Sequence, residues 1–209
     1  MKQDTIAVII TCYNRKEKTV ECLRRLKQNR LPKGYAVVII LVDDNSTDRT
    51  ADAILEEYPA TQIIKGDGNL YWNGGMRTGI AAALKGKADF HLWLNDDTLL
   101  FSNAVESLLR CYEKVQTDLG AAGIIVGSTC DELTGEPTYG GLVRRSPWRA
   151  VKFELVSPRD SYQECETMNG NCVLVPRSVA EKIGNLEERF AHGMGDLDYG
   201  LRAKNTGYW

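Results

Sequence analysis

Asp96 and Asp97 stand directly behind the apolar run Phe90-His91-Leu92-Trp93-Leu94, with Asn95 before them and Thr98 after. Two adjacent carboxylates at the end of a buried strand are costly unless a positive group neutralises them. In an open parallel sheet, ligands bind at the carboxyl ends of the strands. Magnesium and manganese prefer carboxylate and phosphate oxygens, so Mn2+ or Mg2+ bridging a diphosphate is a natural partner for the pair. The same residues also read as a simple turn, because Asn and Asp favour turns. Two further acidic groups compete for a role. Asp43-Asp44-Asn45-Ser46-Thr47-Asp48 closes another apolar run, and Asp196-Leu197-Asp198 follows the loop Phe190 to Gly195. The last is itself Asp-x-Asp, but no buried strand precedes it.

The elements that must position these acids follow from the apolar pattern. Ile6 to Ile10 is a short, β-branched, continuously apolar run, as in a strand covered on both faces. The polar turn Thr11-Cys12-Tyr13-Asn14-Arg15 follows it, and Arg15 to Gln28 reads as a helix with Val20, Leu23 and Leu26 on one side. Ala36 to Val42 is a second strand. A helix is expected from near Ser46, with Ala51, Ile54, Leu55 and Tyr58 inward and Asp48 as a cap. Thr61 to Ile64 is a third strand. A Gly/Asn-rich loop then leads into an Ala-rich helix ending near Leu84. Phe90 to Leu94 is a fourth strand, backed by a helix over Asn103 to Val115. Strand and helix alternate, which implies a doubly wound, mostly parallel sheet with helices on both faces. The acid-bearing turns then share one sheet edge. Beyond Gly120 the alternation loosens: Ala121 to Val126 is expected to be a strand, and Ser128 to Glu164 a variable hairpin or lobe. No linker marks a second domain, so residues 1–209 read as one unit with a nucleotide-binding half (1–120) and an acceptor-binding half (121–209).

The 209 residues suffice for one α/β core, and a composition 43% hydrophobic and 26% charged argues against disorder. A net charge of −2 gives no footprint for nucleic acid. No apolar run approaches a membrane span, and the first strand begins too early for a signal peptide. Six cysteines without a Cys-x-x-Cys pair, beside two histidines, make reduced thiols a better reading than structural zinc. The first turn lacks the glycines of a dinucleotide fingerprint, and there is no P-loop, so a metal must carry more of any phosphate binding.

Val8-Ile9-Ile10-Thr11-Cys12-Tyr13-Asn14-Arg15, Leu41-Val42-Asp43-Asp44-Asn45-Ser46-Thr47-Asp48 and Leu94-Asn95-Asp96-Asp97-Thr98, in this order and spacing, resemble family-2 glycosyltransferases. The resemblance runs from Ile6 to the C-terminus and is weakest over Ser128 to Glu164. It implies the α/β GT-A type fold of nucleotide-diphospho-sugar transferases and an inverting, metal-assisted hexosyltransferase active in polysaccharide biosynthesis. The donor would be a UDP- or dTDP-sugar and the acceptor a saccharide or lipid-linked saccharide. The location implied is cytoplasmic, with peripheral association at the inner face of the membrane and no transmembrane segment.

The resemblance also implies roles. Thr11 and Tyr13, with Arg15 in the same turn, border the nucleotide. Asp44 binds the base, where a carboxylate can accept from an imide N–H. Asp97 is the metal ligand of a DXD-type motif in which Asn95 holds the first place, and Asp96 faces the ribose or donor sugar. Asn69 and Trp72 are donor-pocket walls, although Trp72 reads equally as core. Arg77 holds the diphosphate or forms a surface ion pair. Asn169 and Gly170, within Met168 to Pro176, belong to the acceptor floor, or to a turn before a strand. Asp196 matches the catalytic base of the family's Glu-Asp element, with Gly195 in place of the Glu. Asp198 is expected to pair with Arg202, and His192 to be an ordinary loop histidine. The segment Gly68 to Gly75 is similar to bacterial rhamnosyltransferase-like members, which suggests dTDP-rhamnose. Two alternatives stand beside this reading. A sugar-phosphate nucleotidyltransferase would want a Gly-rich basic signature after the first strand. A catalytically inactive nucleotide- or carbohydrate-binding module is suggested because the chain stops at Trp209, where family members commonly continue with further helices.

Overall fold

A computed structural model describes residues 3–145 and 152–208. The first half is β1 (Asp4–Cys12), α1 (Lys16–Lys27), β2 (Tyr35–Asp43), α2 (Thr50–Glu57), β3 (Gln62–Lys65), α3 (Tyr71–Lys85), β4 (Phe90–Leu94) and α4 (Ala104–Leu119). The second half holds β5 (Ile125–Val126), β6 (Thr129–Cys130), β7 (Pro137–Tyr139), β8 (Gly141–Arg144), β9 (Phe153–Leu155), β10 (Thr167–Met168), β11 (Cys172–Pro176), α5 (Arg177–Ile183) and α6 (Gly195–Asn205).

The central sheet runs β3-β2-β1-β4-β11-β5. Its first four strands are parallel, and β11 lies antiparallel between β4 and β5. The order reverses between β1 and β4, where an open α/β sheet leaves a crevice at its strand ends. Side chains alternate across the pleat. Ile6, Val8 and Ile10 pack with Leu23, Ile54 and Leu109 of α1, α2 and α4. Ala7 and Ile9 face Met76, Ile80, Val179 and Tyr199 of α3, α5 and α6. Helices therefore cover both faces, as the apolar runs imply.

Three local expectations are corrected. The helix expected from Ser46 begins at Thr50. Its missing residues are spent on the turn: Ser46 N donates to Asp43 Oδ1 at 2.9 Å, and Thr47 N to Asn14 Oδ1 at 2.7 Å. Leu55, expected inward, is exposed. The strand expected over Ala121 to Val126 is paired only at Ile125–Val126. The 128–164 lobe forms two small antiparallel ladders, β6-β7 and β10-β8-β9, and its residues 146–151 lie outside the described residues.

Candidate active site

The turns after β1, β2 and β4 meet at the sheet edge and are tied together by their own polar groups. Asn14 N donates to Ser46 Oγ at 2.9 Å. Asp48 accepts from Lys16 N and Thr50 N, each at 3.0 Å, and so caps the starts of both α1 and α2. Asn14 and Asn45 take up the left-handed conformation that lets the chain turn so sharply (φ 50° and 63°).

Asp44 is buried and accepts three backbone N–H groups: Gly68 at 2.8 Å on Oδ1, with Leu70 at 2.9 Å and Tyr71 at 3.3 Å on Oδ2. It thus orders the loop that delivers α3 and supports Tyr71, whose φ of 52° is strained for a bulky residue. Half-buried Thr11 lies against Gly75 of α3, where any Cβ would overlap its hydroxyl. Tyr13 and Asn69 are exposed at the rim. The Tyr71 and His192 rings meet at a 54° tilt with centroids 4.0 Å apart.

Asp96 is 4% exposed, whereas the Asp97 side chain is 35% exposed. The Arg15 guanidinium forks across them, Nη1 to Asp96 Oδ1 at 2.7 Å and Nη2 to Asp97 Oδ2 at 3.1 Å. Asp96 Oδ2 is buried without a partner. Burial pushes the Asp96 carboxyl above the usual range, with Arg15 acting against it and Asp97 adding to it. An orphaned carboxylate oxygen beside a half-open carboxylate is a hard donor set. Among the described residues no group of three or more His, Cys, Asp or Glu gathers as a metal site. The protein therefore offers two carboxylates and leaves the remaining positions to phosphate and water. That is the manner in which magnesium-like ions bind nucleotides, so the residues fit such an ion.

Asp196 opens α6. It accepts Gly170 N at 2.9 Å on Oδ2 and its neighbour Leu197 N at 2.9 Å on Oδ1. Burial raises its pKa, and these N–H groups only partly oppose the rise. Trp72 links this acid to the turn after β4. Its Nε1 donates to Asn95 Oδ1 at 2.8 Å, and its ring edge fills the space a Cβ on Gly170 would take. Asn95 N in turn donates to Asn171 O at 3.0 Å. Asn95, Trp72, Gly170 and Asp196 thus form one continuous contact path. Asn169 pairs with Gly140 through its backbone N–H, at 3.0 Å, and its side-chain oxygen. A cleft of about 770 Å³ opens beside Asp97, between Leu99, Phe101, Ile125 and Tyr139.

Two expected ion pairs are present. Arg77 Nη2 pairs with Glu188 Oε2 at 3.3 Å, the surface-pair reading of that arginine. Asp198 accepts Arg202 Nε at 2.7 Å, one helical turn on. Asn73 is a site residue that sequence reasoning misses. It is fully buried, and its Nδ2 donates to Glu187 O and Phe190 O, pinning the loop that precedes Asp196. Its Oδ1 faces Gly195 so closely that any side chain at 195 would overlap it. Gly195 in place of the expected Glu is the only signal of it in the sequence.

The sequence profile described as glycosyl transferase family 2 matches residues 7–184. The chain belongs to this family. Its family-2 fold is shared with solved glycosyltransferases. TarS of S. aureus, crystallised as residues 1–349 with UDP-GlcNAc, superposes with a TM-score of 0.67 at 14% identity, covering 97% of this chain and 53% of that one. The mannosyltransferase PcManGT of Pyrobaculum calidifontis, in complex with GDP-Man and Mn2+, gives 0.62 at 18% identity, covering 100% and 54%. In sequence, the family-2 chain is 26% identical over 194 aligned positions to the N-acetylglucosaminyl-diphospho-decaprenol L-rhamnosyltransferase of Mycobacterium tuberculosis, across 82% of this chain. It spans 62% of that relative's length.

Proposed function

We propose that this chain transfers a sugar from a UDP- or dTDP-linked donor to a saccharide or lipid-linked saccharide acceptor, with inversion and with a divalent cation. The observation that carries this reading is the Trp72 bridge, which sets Asp196 one indole away from the Asn95-Asp96-Asp97 turn. An inverting transfer needs a base and a leaving-group site on opposite sides of the sugar. Two acidic centres joined by one aromatic ring, on separate elements, supply that separation.

In this mechanism Asp44 would accept from the base and orders the loop under the nucleotide through its bonds to Gly68 and Leu70 N–H, while Thr11, Tyr13, Asn69 and the Trp72 ring border the donor. Asp97, with Asp96 beside it, would hold the cation, which supplies charge stabilisation for the departing nucleoside diphosphate. The acceptor hydroxyl oxygen bonds to the anomeric carbon as the bond to the diphosphate oxygen breaks. Its proton passes to Asp196, a base strengthened by burial. Asn169 and Gly170 would floor the acceptor. Asp196 lies beyond the span matched by the family profile, so its role rests on this geometry. The rhamnosyltransferase relative favours dTDP-rhamnose and a lipid diphosphate acceptor. The complexes of TarS with UDP-GlcNAc and of PcManGT with GDP-Man and Mn2+ support a nucleotide-sugar donor and a metal. Among the described residues no helix is long and apolar enough to cross a membrane. A lipid-linked acceptor would bring the chain to the membrane surface, for which we place it peripherally at the inner face, from the cytoplasm.

The test is release of nucleoside diphosphate from UDP- and dTDP-sugars with Mn2+, in wild type and Asp196→Asn. Asp196→Asn should retain donor affinity and lose about 10²- to 10⁴-fold in turnover. Wild-type turnover in that variant refutes the base assignment. Metal-dependent nucleotide binding with no turnover in the wild type favours an inactive binding module.

A further inference from the structure

We propose that Arg15 is a tethered counter-cation, which holds the Asp96–Asp97 pair until a divalent cation and a nucleoside diphosphate arrive together and then transfers to the diphosphate. This rests on the reading of Asp97 as metal ligand.

The geometry is a fork over two acids. One guanidinium nitrogen takes the sole partnered oxygen of buried Asp96, and the other takes Oδ2 of Asp97, on the more exposed acid. Among the described residues no other cation is ion-paired with either acid. The backbone of Arg15 is fixed, because its carbonyl accepts both Thr19 N and Thr19 Oγ1 at 2.9 Å. Its side chain is 42% exposed and reaches the acids from the solvent side on a flexible stem. The residue is anchored at its root and free at its tip.

Charge sets the order of binding. Two carboxylates and one guanidinium leave a net −1 at the turn. A divalent ion entering alone must displace Nη2 from Asp97 or sit beside a like charge, and both weaken its binding. A nucleoside diphosphate changes the balance, since its oxygens match the planar fork of an arginine, which can bind them in a bidentate manner. Arg15 then gains a new partner as it yields Asp97. Cation and diphosphate thereby favour one another's binding, and the coupling is reciprocal. The chain would bind little free metal, and the cation would be recruited with the donor.

The experiment measures Mn2+ binding by the loss of the free-ion paramagnetic resonance signal, with and without UDP. It uses wild type, Arg15→Met and Asp97→Asn in both backgrounds. Arg15→Met keeps the stem and removes the charge. It should bind Mn2+ alone at least about tenfold tighter than wild type, and UDP should enhance that binding less. UDP chelates Mn2+ by itself, so the arm without UDP is decisive. Equal or weaker binding of Mn2+ alone in Arg15→Met overturns the proposal. Should that variant not fold, Arg15→Gln, which keeps a polar tip and removes the charge, gives the same comparison: tighter Mn2+ binding than wild type supports the proposal, and equal or weaker binding overturns it. Mn2+ binding that is indifferent to Asp97→Asn in both backgrounds would instead refute the metal-ligand reading beneath it.

Discussion

Replacing Gly170 by alanine tests whether the two acidic centres act through one spacer. A Cβ at 170 would lie 2.5 Å from Trp72 Cζ2 and 2.6 Å from Cη2, while ordinary contact begins at 3.4 Å. The indole must therefore retreat by about 0.9 Å. Cζ2 and Nε1 are carried by the same ring carbon, so displacing the one disturbs the Nε1 bond to Asn95 Oδ1 at 2.8 Å. The Gly170 N–H that Asp196 accepts would be disturbed at the same time. Overpacking of this kind costs about 1–3 kcal/mol. A misplacement near 1 Å between reacting groups costs about 10²-fold in rate. Gly170→Ala should thus remain folded in a denaturant titration, with a lowered midpoint, and bind UDP nearly as well as wild type. Its kcat for sugar transfer should fall by about two orders of magnitude. Smaller replacements at Trp72 that make room for the methyl group should recover stability and not turnover. A Gly170→Ala enzyme of wild-type kcat would refute the claim that the Trp72 contact sets the separation of the acids.

Other outcomes rest on the same geometry. Gly195→Ala should be strongly destabilising, because its Cβ meets the buried Asn73 amide; Asn73→Ala in the same chain should recover part of the loss, so that the two effects are not additive in thermal melts. Burial holds the Asp196 carboxyl above the ordinary aspartate range, and a base works only when deprotonated. The acid limb of kcat/KM should accordingly lie above the usual aspartate value and vanish in Asp196→Asn. A raised folded pKa contributes stability below the unfolded value and loses it as pH rises through the folded one. Asp196→Asn should therefore gain stability relative to wild type on going from acid to neutral pH, read as the difference in melting temperature at the two pH values.

Much of the first half, residues 1–120, is legible in the sequence. Ile6 to Ile10, Ala36 to Val42 and Phe90 to Leu94 are continuous apolar runs ended by polar turns; β1 and β4 are covered on both faces as such runs imply, whereas β2 is so covered only from Ile40 onward, with Val38 exposed. The register of β11 between β4 and β5 is not legible, because Cys172–Pro176 carries no mark of which strand it will meet. The start of α2 is hard to read because Ser46 and Asp48 are good caps whose side chains serve the turn and α1 as well. In the site, the acidic turns are visible as such, and the resemblance to family-2 glycosyltransferases singles out Asp44, Asp97 and Asp196 among them. Neither says that Asp44 spends both oxygens on backbone N–H groups, or that Arg15 forks across Asp96 and Asp97. Those outcomes depend on which loops approach across the sheet edge. Asn73 is invisible for the same reason: its partners, Glu187, Phe190 and Gly195, come from the far half of the chain.

In the proposed mechanism the cation would sit at the acids after β4, and Asp196 would act without it. Crystals grown with UDP and Mn2+ and measured at the manganese absorption edge locate the ion. One anomalous peak is expected, bonded to Asp97 and to the UDP diphosphate, and none at Asp196 or Asp198. A peak at the α6 aspartates, or bound UDP with no manganese at Asp97, would contradict it.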